Sequence, residues 1–94
     1  MALQIRSSPS DPNDTENIRQ SINDAIAAAI EGAEVNVLAI SPGHYEIQVS
    51  STSFEGQTRV RQQQRVYAAI AHLMKGDSAP VHAIDRLQTL IAPA

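Results

Sequence analysis

The chain of 94 residues contains no cysteine. That excludes disulfides, thiolate metal sites and thiol nucleophiles supplied by the chain itself. It fits a reducing compartment, so a cytoplasmic location is expected. Aromatic residues are nearly as scarce: Tyr45, Phe54 and Tyr67 make up 3% of the chain, too few for a base-stacking surface. No apolar run approaches the roughly 20 residues of a membrane span, so no membrane association is expected. The net charge of −3 opposes general affinity for phosphate polyanions and leaves only a local basic patch to bind one. Enzyme signatures are missing as well. There is no P-loop, no dinucleotide glycine pattern, no His-Glu-x-x-His helix and no nucleophile elbow. His82 and Asp85 lie three apart, but no adjacent serine or second base completes a mechanism. The expectation is a chain that is not an enzyme.

What remains is a well-punctuated globular pattern of one-domain length. The start, Met1 to Asp14, is polar and Pro-containing, with no signal-peptide core. A disordered tail is expected over 1–10 and a single folded domain over 11–94. Asp11-Pro12 reads as a helix start, an N-cap acceptor followed by proline at the first helical position. Ile18, Ile22, Ala25, Ile26, Ala29 and Ile30 recur at three and four residues and share one face. Gly32 is a plausible stop. The first helix is expected over 12–31. A β-prone run at 35–40 follows, then the turn Ser41-Pro42-Gly43. Tyr45, Ile47 and Val49 alternate with Glu46, Gln48 and Ser50, which is period two with one face buried. The runs 35–40 and 44–50 are expected to form an antiparallel hairpin.

A loop at 51–56 carries Phe54 and Gly56. Thr58 caps a second helix over 58–75, in which Val60, Val66, Tyr67, Ile70, Leu73 and Met74 gather on one side. Arg61, Arg65, His72 and Lys75 gather opposite. Residues 80–86 read as a third strand, returned to the same sheet by the crossover through that helix. The tail Leu87–Ile91 has room for a short C-terminal helix before Pro93. The fold class is therefore α+β: two main helices packed on one face of a three-stranded mixed sheet, in the order α-β-β-α-β. Ile22, Ile26, Ile30, Ile47, Val49, Val66, Ile70 and Leu73 form its expected core.

Four local patterns line up within this frame. His44-Tyr45-Glu46-Ile47 starts the second strand, Phe54-Glu55-Gly56 fills the loop, Arg59-Val60-Arg61-Gln62-Gln63-Gln64-Arg65-Val66-Tyr67 opens the second helix, and Val81-His82-Ala83-Ile84 begins the third strand. Together they resemble the BolA family over about 35–86, and the glutamine-containing helix start looks like its YrbA/IbaG-like branch. The resemblance implies a fold like the class II KH domain. It also implies partnership with a monothiol glutaredoxin, with which BolA proteins can share a 2Fe–2S cluster, and no cofactor when the chain is alone. Some relatives are linked to DNA binding, transcriptional control and stress responses. This chain departs from the family where many members have Arg-His-Arg, since it has Gln62-Gln63-Gln64. It departs again at the common hairpin-loop cysteine, where Ser41 stands, and it lacks the tryptophan-containing pattern after Arg86.

Few residues are left to carry chemistry. Imidazole suits borderline iron, and histidine replaces cysteine on some 2Fe–2S centres. The resemblance maps the family's near-invariant C-terminal histidine onto His82, which makes it the first ligand candidate. The competing reading is a half-buried strand histidine bonded to a carboxylate or the backbone. His44, at the mouth of the hairpin, is the second candidate, if the loop bends toward His82; otherwise it is a structural or exposed turn histidine. His72 reads as an exposed helical histidine. Arg59, Arg61 and Arg65, near the backbone amides after Gly56, form a candidate site for a phosphate or a partner's carboxylate. The alternative is a solvated face paired in part with Glu55. Gln63 is expected to be buried and hydrogen-bonded, and Phe54 and Tyr67 to anchor the core. Two functions compete: an iron–sulfur adaptor, and a nucleic-acid-binding regulator with weak, mostly non-specific DNA affinity. Alone, the chain is expected to be a monomer or weak homodimer.

Overall fold

The structure, a computed structural model, describes residues 15–93. The expected tail over 1–10 and the helix start at Asp11-Pro12 lie outside them. The elements run α1 (Thr15–Ala29), β1 (Glu34–Ser41), β2 (His44–Ser51), α2 (Arg59–Ile70) and β3 (Ala83–Ile91), with 3-10 turns at Thr52–Phe54 and Ala71–Leu73. The sheet order is β1-β2-β3, with β1 antiparallel and β3 parallel to the central β2. This is the expected α-β-β-α-β arrangement.

One apolar face per element builds the core. Ile18, Ile22, Ile26 and Ile30 follow one another at intervals of four and are all buried, so α1 lays a ridge of isoleucines onto the sheet. Tyr45, Ile47, Val49 and Ser51 of β2 are buried while Glu46, Gln48 and Ser50 between them are partly exposed, because successive strand side chains point to opposite faces. Val35 pairs with Val49, Val37 with Ile47 and Ala39 with Tyr45, which sets the hairpin register. Arg19 ties α1 to the sheet edge: its guanidinium donates to the Val37 carbonyl at 3.2 Å and to Glu16. Each fully buried Ile or Val contributes about 1.5–3 kcal/mol of burial energy before ordering costs.

The second helix packs differently. Its buried residues are Gln62, Val66 and Ile70, and Val60 is 63% exposed and Tyr67 42% exposed. The expected apolar side was thus rotated from the true one. Val60 lies about 200° around the helix from Gln62, so the two cannot share a face. The buried glutamine is Gln62, not the expected Gln63. Gln62 Nε2 donates to the Gln57 carbonyl at 2.9 Å and the Phe54 carbonyl at 3.4 Å, and its Oε1 accepts from buried Thr89 Oγ1 at 2.7 Å. One side chain thereby joins the loop, α2 and β3. Thr58 caps α2 as expected, accepting from the Arg61 amide at 3.1 Å. Leu73 is only partly buried against the core, because the helix gives way to a 3-10 turn at Ala71.

The third strand also starts and ends later than expected. It covers Ala83–Ile91, so Leu87–Ile91 is strand and the short C-terminal helix is corrected. The register with β2 steps from Tyr45↔Ile84 to Glu46↔Arg86, leaving Asp85 as an extra residue. Beyond it Leu87, Thr89 and Ile91 pair with Ile47, Val49 and Ser51. Hydrogen bonding along β2 carries the chain in extended form to the end of the sheet.

Candidate functional site

The candidate site forms where the β1–β2 turn meets the segment entering β3. Pro42 and Gly43 make a two-residue connection, and Gly43 adopts φ +81°, a conformation glycine takes without steric cost. The Gly43 carbonyl accepts from two successive amides, His82 at 2.8 Å and Ala83 at 3.1 Å. The His82 ring then lies directly over Gly43: a Cβ placed there would come within 2.6 Å of His82 Nδ1 and 2.8 Å of Cγ. The turn glycine is therefore a seat for His82 as well as a bend. His82 is exposed, so its ring is held from below and open above. It lines a cleft of about 370 Å³ with Thr15, Ile18, Tyr45 and Pro80 among its walls. Burial raises the Tyr45 phenol above its usual value by desolvation.

His44 sits at the same end of the sheet but turns the other way. Tyr45, the next residue, points to the helices, so His44 belongs to the sheet's open face. Its Nδ1 lies 3.0 Å from Asp85 Oδ1, with the two side chains 42% and 39% exposed. The two candidate ligands thus occupy one end of the sheet on opposite faces. Ser41 pairs with His44 at the close of the hairpin and is exposed. His72 is exposed on the turn after α2. Among the described residues, no group of three or more His, Asp or Glu side chains gathers to hold a metal ion. The donor set fits one or two nitrogen ligands offered to a centre completed by another molecule.

The three arginines do not form one patch. Arg65 folds back onto the loop: it donates to the Ser53 carbonyl at 3.2 Å and Gln57 Oε1 at 2.9 Å, and its guanidinium lies 5.3 Å from the centroid of the Phe54 ring. Arg59 and Arg61 are exposed at the start of α2. The described residues contain no ion pair between these arginines and Glu55, which corrects the expected pairing. Gly56 takes φ +81° with open space where a Cβ would stand, so the turn needs glycine for its backbone and not for room.

Sequence reasoning names His82 and His44 as candidates but not the groups that lie against them. Gly43 was read only as a turn residue, and Asp85 only for its spacing from His82. Nothing in a linear pattern joins Asp85 to His44, 41 residues away.

With this geometry in hand, the comparisons with known proteins agree on one family. No curated protein sequence matches the chain. Among solved structures, a bolA protein homologue from Coxiella burnetii is 28% identical with a TM-score of 0.61, covering 82% of this chain and 88% of that one. BolA1 from Arabidopsis thaliana is 18% identical with a TM-score of 0.63, covering 80% and 95% respectively. BolA1 from Mus musculus shares 18% identity and a TM-score of 0.61, covering 97% of this chain and 74% of its own. The two less identical structures speak to fold alone. The family model described as BolA-like protein matches residues 31–90, nearly two thirds of the length and every element from β1 to β3, and the chain accordingly belongs to the BolA-like family.

Proposed function

We propose that this protein is a non-enzymatic adaptor that partners a monothiol glutaredoxin and shares a 2Fe–2S cluster with it, in iron–sulfur or redox and stress regulation. The observation that carries the reading is the seating of His82. Its imidazole is exposed at the end of the sheet and fixed from beneath by Gly43, which is the presentation a ligand to a partner's centre requires. The chain has no thiolate to give, so its contribution to a cluster must be nitrogen, with thiolates from the partner and glutathione. A bound cluster supplies electron storage and transfer between its irons. His82 would hold it, with His44 as second candidate. Arg59 and Arg61, with the turn at Gly56, offer a surface for a partner's acidic groups. The glutamine-containing start of α2 supports assignment to the YrbA/IbaG-like branch. The location is cytoplasmic, and the protein alone is a monomer or weak homodimer. Among the described residues no helix is long and apolar enough to cross a membrane.

Co-expression with a monothiol glutaredoxin from the same cell tests this reading. Visible absorption and circular dichroism of the purified complex should differ from those of the glutaredoxin's own cluster. His82→Ala should leave the fold intact and change or abolish that spectrum, while His72→Ala should leave it as it is. An unchanged cluster spectrum and stability in the His82→Ala complex removes His82 as a ligand. Association alone does not decide the matter, because protein contacts can persist without the cluster.

The alternative, a nucleic-acid-binding transcriptional regulator using the KH-like surface, has a narrower basis. With Arg65 committed to the loop, Arg59 and Arg61 are left to reach phosphates from this patch. Two contacts give a slope of log K against log salt of about −2 on duplex DNA. Nanomolar, sequence-specific binding at physiological salt would reverse the ranking.

A further inference from the structure

Asp85 owes its place to the irregularity between β2 and β3. Because Tyr45 pairs with Ile84 and Glu46 with Arg86, Asp85 is the residue the register skips. Such a bulge re-aims a side chain. Here the carboxylate reaches His44, with Oδ1 at 3.0 Å from Nδ1.

That contact has a chemical consequence. An ionised carboxylate only accepts hydrogen bonds, so His44 must donate from Nδ1. In the neutral ring Nε2 then carries the lone pair, on the ring edge away from Asp85. The ring is 42% exposed and accessible to another molecule. Carboxylate, imidazole and metal in that order is how metal-binding histidines are oriented and made more basic. An exposed pair of this kind adds little to folding, so stability alone is a weak reason to break the register of a strand.

We propose that Asp85 is a positioning residue: it locks His44 as the Nδ1–H tautomer and presents Nε2 as a nitrogen donor to a borderline metal such as iron. This deepens the proposed function and rests on it for the identity of the metal centre. His44 thereby fills the ligand role that Ser41 cannot, and it does so from the opposite face of the sheet to His82. The two histidines serve a partner seated across the end of the sheet.

The test begins with the full chain alone. Long-range proton–nitrogen correlation NMR at alkaline pH should show His44 protonated at Nδ1 and bare at Nε2. Asp85→Ala should shift it toward the Nε2–H form that free imidazole prefers. Titration with Co²⁺ should broaden the His44 ring signals, and Asp85→Ala should raise the midpoint about 10-fold; His44→Ala should remove the site. A purely structural clasp would move neither the Co²⁺ midpoint nor any later cluster signal. A wild-type His44 in the Nε2–H form overturns the proposal, as does an Asp85→Ala protein with the same tautomer and midpoint. Next, the glutaredoxin complex of Asp85→Ala should lose its cluster faster than wild type. If that complex keeps the wild-type spectrum and lifetime, Asp85 has no role toward the cluster while the proposed function stands. If the wild-type chain forms no shared cluster but the tautomer and Co²⁺ results hold, the proposed function falls and the positioning role stands.

Discussion

The two helices of this protein meet the same sheet by different physics. Helix α1 buries Ile18, Ile22 and Ile26, with Ile30 continuing the row, and its packing is dispersion and water release. Helix α2 buries Gln62 ahead of Val66 and Ile70, and its first turn is fastened by hydrogen bonds to the Phe54 and Gln57 carbonyls and to Thr89. An apolar ridge tolerates small slips. A satisfied buried amide does not, because any slip leaves polar groups unpaired in a dry place. The hydrophobic helix thus supplies mass to the core, and the glutamine fixes where the loop and β3 sit relative to α2.

Weakening α1 should have the largest effect on stability. Ile26 is fully buried at the centre of its ridge. Ile26→Ala should cost about 2–5 kcal/mol, read as a lower denaturation midpoint with little change in slope. For a domain of this size, that is a large part of the total stability. Gln62→Leu should cost less, about 1–3 kcal/mol, since it keeps volume but strands the Thr89 hydroxyl and the Gln57 carbonyl, while the Phe54 carbonyl keeps the Gln57 amide. Joining it to Thr89→Val should recover part of the loss. A double-mutant cycle in urea should give a coupling of about 0.5–3 kcal/mol, and strict additivity would show that the Gln62–Thr89 bond does not organise the interface. Thr58→Ala, which deletes the α2 cap, should cost about 1 kcal/mol.

The same contrast explains what could be read from the sequence. Helix α1 and strand β2 were legible, since isoleucines at intervals of four and the alternation Tyr45, Ile47, Val49 are direct signatures of their buried faces. The buried side of α2 was not, because apolar periodicity gives no weight to a glutamine and drew Val60 and Tyr67 inward instead. Strand β3 misled for a related reason. Pairing with β2 holds Leu87–Ile91 extended, and the skipped residue Asp85 leaves inward-facing Ile84 and Leu87 three positions apart, which hides the strand's alternation in the sequence. The site shows the same division. His82 and His44 stood out by residue type and by resemblance, whereas the Gly43 seat and the Asp85 contact exist only once β3 lies beside β2. Arg65 carried a charge that suggested a partner, and its neighbours in space turned out to be Phe54 and Ser53.

Tyr45 is a second buried polar side chain, placed differently from Gln62. Gln62 has every polar atom of its amide engaged, but among the described residues Tyr45 makes no side-chain hydrogen bond, although only 1% of it is exposed. Removing a partnered group strands its partners; removing an unpartnered one strands nothing. Tyr45→Phe should therefore change stability near neutral pH by less than about 0.5 kcal/mol, or raise it slightly. Alkali separates the two proteins. Burial raises the Tyr45 phenol above its usual value, so the folded chain holds that proton more tightly than the unfolded chain does. The associated stability is complete below the ordinary tyrosine range, near about 10, and is lost as pH climbs through the raised folded value. Urea unfolding at a series of alkaline pH values should show wild type declining more steeply than Tyr45→Phe, with the curves meeting at neutral pH. Because Phe keeps the ring that fills the space beside Ile18, any large loss at neutral pH would mean that the hydroxyl has a partner in the folded chain. The contrast with Gln62 would then be false, and the cleft beside His82 would be closed by a bond instead of lined by an available donor.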